Sequence, residues 1–412
     1  MPRHAPIWLQ LRGERPHCCG ISLGFHYPLA KLVPGPSFVS ELHLWVPDLD
    51  AAKGGIQAFS HCFWRGLRAA QPSVPVRVFA KRGSADPNEP HHRSYGHIPS
   101  TWRTLWFITS LVWAALRHRP AAVISTHSNF LPAAHMLKRL WGIPYLGIAH
   151  GIEVWGNRRP AMVAALRAAD RILAVSRYTR DRLASEQGIA TDRLGILPNT
   201  FDEARFHLGP KSPELLARYQ IPADAKIIFT FGRLAMSERY KGFDKIITAL
   251  PRLQRAVPEV RYLIGGSGDD QSRLAALAQA VGVADRVTFT GFLPTTELAA
   301  HYQLCDVFAM PSTGEGFGIV FLEALACGKP VLAGDRDGSV DPLLDGRLGA
   351  LVDPHDAEQL AESLTQILQR RYAHPLMWKP EELRRQVVAE FGFEKFSAIL
   401  QAHLQRLLLR AA

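Results

Sequence analysis

The sequence predicts an α/β protein made of two parallel-sheet, Rossmann-like domains facing a central cleft. Three observations predict it. Short β-branched runs alternate with helix-length segments from end to end, the pattern of repeated βαβ units. The strand candidates are apolar with little alternation, as in sheets covered on both faces. The pattern also restarts near residue 225, after an irregular stretch (198–222) holding Pro198, Pro210, Pro213 and Pro222 that reads as an interdomain linker. At 412 residues the chain exceeds one ordinary core and suits two domains of about 200 residues each.

Residues 1–38 are Pro-rich and read as an irregular extension. The first domain is expected over 39–205, with strands at 41–47, 121–126, 143–149 and 171–176. Within it, TLWFITSLVWAAL (104–116) stops at Arg117, His118 and Arg119. That run is too short for the roughly 20 apolar residues of a membrane span, so it reads as a buried helix. The second domain is expected over 206–390, with strands at 226–231, 260–265, 286–290, 307–310 and 330–333. The tail, 391–412, has a helical amphipathic pattern and is expected to pack back on the first domain.

Five scattered cysteines without C-x-x-C spacing argue against a disulfide framework or a zinc site and fit a reducing compartment. With no apolar leader followed by a cleavage site, a cytoplasmic location is expected. Charge is uneven: residues 1–205 hold 25 Lys and Arg against 13 Asp and Glu, the remainder 23 against 24. A basic half can attract an anionic membrane surface, an anionic substrate or nucleic acid. No helix-turn-helix, aromatic RNA platform or basic cluster is present, so nucleic acid is not expected. No G-x-G-x-x-G follows the first strand, which disfavours a dinucleotide dehydrogenase.

The strongest motif is PSTGEGFGIVFLEALACGKPV, residues 311–331. A strand enters a loop with Gly314, Gly316 and Gly318, and a helix begins near Ile319. Such glycines let a backbone approach a ligand, and a helix N-terminus offers N–H groups to phosphate. Glu315 in the loop and Glu323 in the helix place two acceptor carboxylates at different depths, suited to two sets of hydroxyls. A second motif pairs Arg233, after Phe231-Gly232, with Lys241 before Gly242-Phe243-Asp244. Two fixed cations there can stabilise a departing diphosphate, so no metal is needed. Asp335-Arg336-Asp337 reads as a polar loop. His150, followed by Gly151-Ile152-Glu153, ends an apolar strand and points to the cleft. Lys53-Gly54-Gly55-Ile56 follows the first strand, and Gly265-Gly266-Ser267-Gly268 follows another.

GEGFGIVFLEALACGKPV closely resembles the Glu-x7-Glu signature of the retaining glycosyltransferases of family 4, which have the two-Rossmann GT-B fold. The resemblance runs from about Leu42 to the C-terminus and is strongest over 226–353. It implies that Glu315 contacts the transferred sugar and Glu323 the donor ribose, with backbone N–H groups of Gly316, Phe317, Gly318 and Ile319 near the sugar and diphosphate. It assigns Arg233 and Lys241 to the diphosphate, His150 to the donor sugar or reacting centre, Gly55 and Gly266 to the donor, and Gly54 and Glu153 to the acceptor side. Ile196–Asp202 matches the usual Pro-Asn-Gly-x-Asp only in part, with Thr200 for Gly. The implied partners are a nucleotide sugar, with GDP-mannose ahead of UDP-glucose, and a glycan, lipid-linked or soluble acceptor. A peripheral place on the inner face of the membrane follows if the acceptor is lipid-linked.

Overall fold

The computed structural model describes residues 41–50, 54–86, 89 and 91–411. The expected 1–38 extension and Lys53 lie outside them. The chain runs through β1 (Leu42–Val46), α1 (Gly55–Ala70), β2 (Val76–Ala80), β3 (His92–Ser94), α2 (Ser100–His118), β4 (Ala122–Ser125), α3 (Leu131–Trp141), β5 (Tyr145–Ala149), α4 (Pro160–Ala168), β6 (Arg171–Ala174), α5 (Arg177–Gln187) and β7 (Leu194–Ile196). These seven strands form one parallel sheet in the order β3-β2-β1-β4-β5-β6-β7.

After α6 (Pro213–Arg218) come β8 (Lys226–Phe231), α7 (Phe243–Ala256), β9 (Val260–Gly265), α8 (Gln271–Ala280), β10 (Val287–Gly291), α9 (Thr295–Leu304), β11 (Val307–Met310), α10 (Ile319–Ala326), β12 (Val331–Gly334), β13 (Ala350–Val352), α11 (Ala357–Leu368), α12 (Pro380–Phe391) and α13 (Phe393–Ala411). The second sheet is also parallel, in the order β10-β9-β8-β11-β12-β13. The fold is therefore the expected pair of Rossmann-like sheets.

Both faces of each sheet are covered, which is why the strands lack alternation. Leu42, Leu44 and Val46 of β1 join Phe59, Phe63 and Leu67 of α1 in one core, while Trp45 joins Phe107 and Leu111 of α2 in another. α13 lies along α1: Phe396, Leu400, Leu404 and Leu407 are buried there. A Cβ on Gly66 would stand 3.1 Å from the Phe396 ring, so α1 meets α13 through a glycine. The 198–222 stretch is more ordered than an irregular linker, because α6 forms within it and Phe201 and Phe206 are buried.

One expectation is corrected. Residues 104–116 do form the middle of α2, but the helix is not buried all round. Phe107, Leu111, Ala114 and Ala115 face the sheet, whereas Trp106 and Trp113 are 58% and 57% exposed. The segment carries large apolar side chains on its outer side as well, and these find no cover among the described residues.

Candidate functional site

In open parallel sheets ligands bind beyond the carboxyl ends of strands, where the strand order reverses. The second sheet reverses between β8 and β11. β8 leads into Gly232-Arg233, and β11 into the Glu315 loop, so the two strongest sequence motifs leave adjacent strands at that point. The first sheet reverses between β1 and β4. Gly54 and Gly55 open α1 after β1, and Thr126-His127 follow β4.

The Arg233 and Glu315 loops are tied together. Lys241 Nζ donates to Glu315 Oε2 at 3.2 Å and stands 3.6 Å from Glu238 Oε2. Arg233 Nη2 donates to the other oxygen of Glu238, while the Arg233 side chain remains 78% exposed. Glu238, itself nearly buried, thus spans both cations. Burial works against the charge of Lys241, but Glu315, Tyr240 and Glu238 together hold its ammonium above the ordinary lysine range. Gly242, at φ +80°, closes the turn: a Cβ there would lie 2.5 Å from the Pro311 carbonyl oxygen, so only glycine lets the lysine loop press on the Glu315 loop. Tyr240 adds its carbonyl, which accepts from Thr313 N at 2.9 Å.

Asp337 braces the same loop from behind. Its Oδ2 accepts from Glu315 N at 2.6 Å and Ser312 Oγ at 2.7 Å, and its Oδ1 from Ser339 N at 2.9 Å. The polar-loop reading holds for the exposed Asp335 and Arg336 but not for Asp337, which is 2% exposed. Gly318 caps α10, which begins at Ile319, and Phe317 turns its ring into the core against Phe391. Phe317 can therefore offer a ligand its backbone, not its side chain. Glu323 accepts from Tyr302 Oη at 2.7 Å, and burial pushes its carboxyl up to about 7. Charges of Arg205 and Asp202, from the linker, also act on it. Gly266 packs on the carbonyl of Gly232, next to Arg233.

From the first domain, the His150–Glu153 loop reaches this site. A Cβ on Gly316 would fall 1.7 Å from the His150 carbonyl oxygen, so the two domains touch backbone to backbone. His150 Nε2 lies 2.8 Å from the Thr126 carbonyl oxygen, which can only accept, so that nitrogen carries a hydrogen. Phe59 meets the ring edge-on, and burial pushes the imidazole down to about 4, leaving it neutral near pH 7. Glu153 Oε1 accepts from His150 N at 2.6 Å, and burial raises its carboxyl above the usual range. Its charge acts on His127, whose imidazole burial and His150 push down to about 4. Gly54 and Gly55 are exposed at the start of α1.

Residues 211–386 match the family described as glycosyl transferases group 1, and residues 53–205 match glycosyltransferase family 4. Two glycosyltransferase family models thus match the chain in succession, one over each sheet. A GDP-mannose-dependent alpha-(1-6)-phosphatidylinositol monomannoside mannosyltransferase of Mycolicibacterium smegmatis is 38% identical over 231 residues, 53% of this chain and 59% of that relative. The chain thus spans about three-fifths of the length of that curated relative. A D-inositol 3-phosphate glycosyltransferase of the same organism is 28% identical over 84% of this chain and 82% of its own length. Among solved structures, the Anabaena HepE protein in complex with UDP-glucose superposes with TM-score 0.72 at 20% identity, covering 88% of this chain and 99% of that one. A sucrose-phosphate synthase from Thermosynechococcus elongatus gives 0.71 at 22% identity, covering 90% and 100%. These likenesses show the GT-B fold.

Four residues of this candidate site escape a reading of motifs. Glu238 hides in LAMSERY, a segment whose path no pattern defines. Asp337 looks like any loop carboxylate. His127 had a usable signal, since it follows β4 as His150 follows β5. Arg177, which opens α5, reaches across the domains: its Nε donates to Asp341 at 2.8 Å and its Nη2 to Asp345 at 2.7 Å.

Proposed function

We propose that the chain transfers a hexose, with retention at the anomeric carbon, from a nucleotide diphosphate donor to a glycan or lipid-linked hydroxyl. The observation that carries this reading is the convergence of Arg233, Lys241, Glu238 and Glu315 where β8 and β11 part. In the free protein the two cations are occupied by carboxylates. An incoming diphosphate takes their place, releasing Glu315 toward the sugar hydroxyls, while Glu323 accepts from the ribose. Backbone N–H groups at the start of α10, with Gly316 against His150, enclose the sugar.

As the bond between the anomeric carbon and the diphosphate oxygen breaks, its electron pair passes to the diphosphate, where Arg233 and Lys241 stabilise it. The diphosphate, on the same face as the acceptor, takes the acceptor proton while the acceptor oxygen bonds to that carbon. Neutral His150 lines the reacting centre, and Glu153 and Gly54 lie on the acceptor side. Gly55 and Gly266 border the donor. The two cations supply charge neutralisation, so the reaction is expected without a metal.

GDP-mannose is the favoured donor, because the 38% identical relative is named as GDP-mannose-dependent. The phosphatidylinositol monomannoside in that relative's name also supports a lipid-linked substrate, and the basic first half supports work at the anionic inner face of a membrane. Binding of a panel of nucleotide sugars, read as thermal stabilisation, tests the donor. Stabilisation by GDP-mannose, lost in Arg233→Ala and Glu323→Ala, is expected. Stabilisation by UDP-glucose alone would reassign the sugar, and none by any nucleotide sugar would sink the reading. NMR of the product tests retention: a β-linked product from an α-linked donor overturns it.

A further inference from the structure

The outer face of α2 is apolar where a surface helix is ordinarily polar. Trp102, Leu105, Trp106, Trp113 and Leu116 are 42% to 60% exposed. Successive spacings of three, one, seven and three residues put them on one stripe, broken only by the exposed Thr109 and lying opposite the buried Phe107 and Ala114. The adjacent α3 adds Met136, Leu140 and Trp141. Eight of the eleven exposed large hydrophobic residues recorded among the described residues lie on these two helices, so the patch is concentrated rather than scattered.

The charges carried by this stretch of chain are all cations, of which Lys138 of α3 is already paired with Asp170 at 2.6 Å. Residues 91–152 contain six Lys and Arg and no Asp or Glu. The guanidinium of Arg117 lies 5.9 Å from the centre of the Trp113 ring, and Arg119 is exposed just beyond the helix. Glu41, the carboxylate that approaches His118 at this end, is bound by Arg77 at 2.9 Å. A shallow hollow lined by Arg119, Trp141 and Pro144 continues the face.

We infer that the α2–α3 face docks on an anionic bilayer surface, its tryptophans entering the headgroup region and its arginines meeting lipid phosphates. Tryptophan suits that boundary because its ring is apolar and its N–H polar, and flanking cations add attraction to anionic lipid. A second copy of the chain is a poorer occupant. Two such faces meeting would bring cation to cation with no carboxylate in residues 91–152 to relieve them. The inference deepens the membrane reading above by naming its surface, and it rests on that reading for the sign of the lipid.

The test uses the full chain with phosphatidylcholine vesicles, with and without phosphatidylglycerol, and the variant Trp106→Ser/Trp113→Ser. Both positions are exposed, so folding and turnover on a water-soluble acceptor are expected to be unchanged. The wild type is expected to bind only phosphatidylglycerol vesicles, less as salt rises, and its tryptophan emission to be quenched by brominated lipid. The double variant is expected to lose binding on the order of tenfold or more. Equal binding by the variant would overturn this face while leaving the basic half as the membrane contact. No wild-type binding would overturn both. Dimerisation in solution that the variant abolishes, without vesicle binding, would make the face a protein interface and overturn the inference.

Discussion

Glu238 binds the two cations that the proposed reaction needs, so it competes with the donor. Glu238→Gln removes one negative charge from beside Lys241 and Arg233, and a nucleoside diphosphate should then bind several-fold tighter, about 1 kcal/mol for a partly exposed pair. Calorimetry checks this; weaker binding would make Glu238 a positioner of Arg233 instead. Glu323 makes a pH prediction. Its folded carboxyl titrates near 7, above the 4.5 of a free glutamate. The folded chain therefore holds a proton that the unfolded chain has lost, and this contribution to stability falls away as pH rises from about 5 through 7. Above that window the buried charge costs roughly 3 kcal/mol. Glu323→Gln should raise the melting temperature of the ligand-free protein at pH 8, not at pH 5, while weakening donor binding. Glu323 was legible because its spacing from Glu315 is fixed by strand, loop and helix. Glu238 and Asp337 were not, since a solvated loop carboxylate and one holding a neighbouring loop look alike in sequence.

The glycine loop beyond β11 carries its own predictions at the level of the element. Gly316→Ala would drive a methyl group into the His150 carbonyl, so closure should fail while each domain stays folded. Turnover should fall by about a hundredfold or more with little change in melting temperature, as expected when a misplaced contact costs near-attack geometry. A large fall in melting temperature would show that the contact also supports the fold. Asp337→Ala should do the opposite, leaving Glu315 N, Ser312 Oγ and Ser339 N without their acceptor at a cost of about 3 kcal/mol. Most strands were readable because both-face burial makes them continuous apolar runs. β3, β7 and β13 have three residues each and no pattern to read. α2 shows the limit of periodicity: a helix with large apolar residues on two opposite sides does not reveal which one the protein covers.

For the whole molecule, the two domains are joined near the site by Gly316 on His150 and at one edge by Arg177 on Asp341 and Asp345. The arginine is 44% exposed, so the pair adds little to stability, on the order of 0 to 1 kcal/mol. Its effect should appear in the closed arrangement. Arg177→Ala is expected to raise the donor KM several-fold, to leave the melting temperature nearly unchanged, and to enlarge the radius of gyration measured by small-angle scattering with donor. An unchanged radius would show that the ion pair does not govern closure. The packing of α13 on α1 has a consequence of another kind. The first domain borrows its covering helix from the far end of the chain, so during synthesis its sheet emerges long before that helix does. Phe59, Phe63 and their neighbours then wait, uncovered on one side, until residues 393–411 leave the ribosome. A nascent chain halted after β13 should bind chaperones that the finished protein ignores.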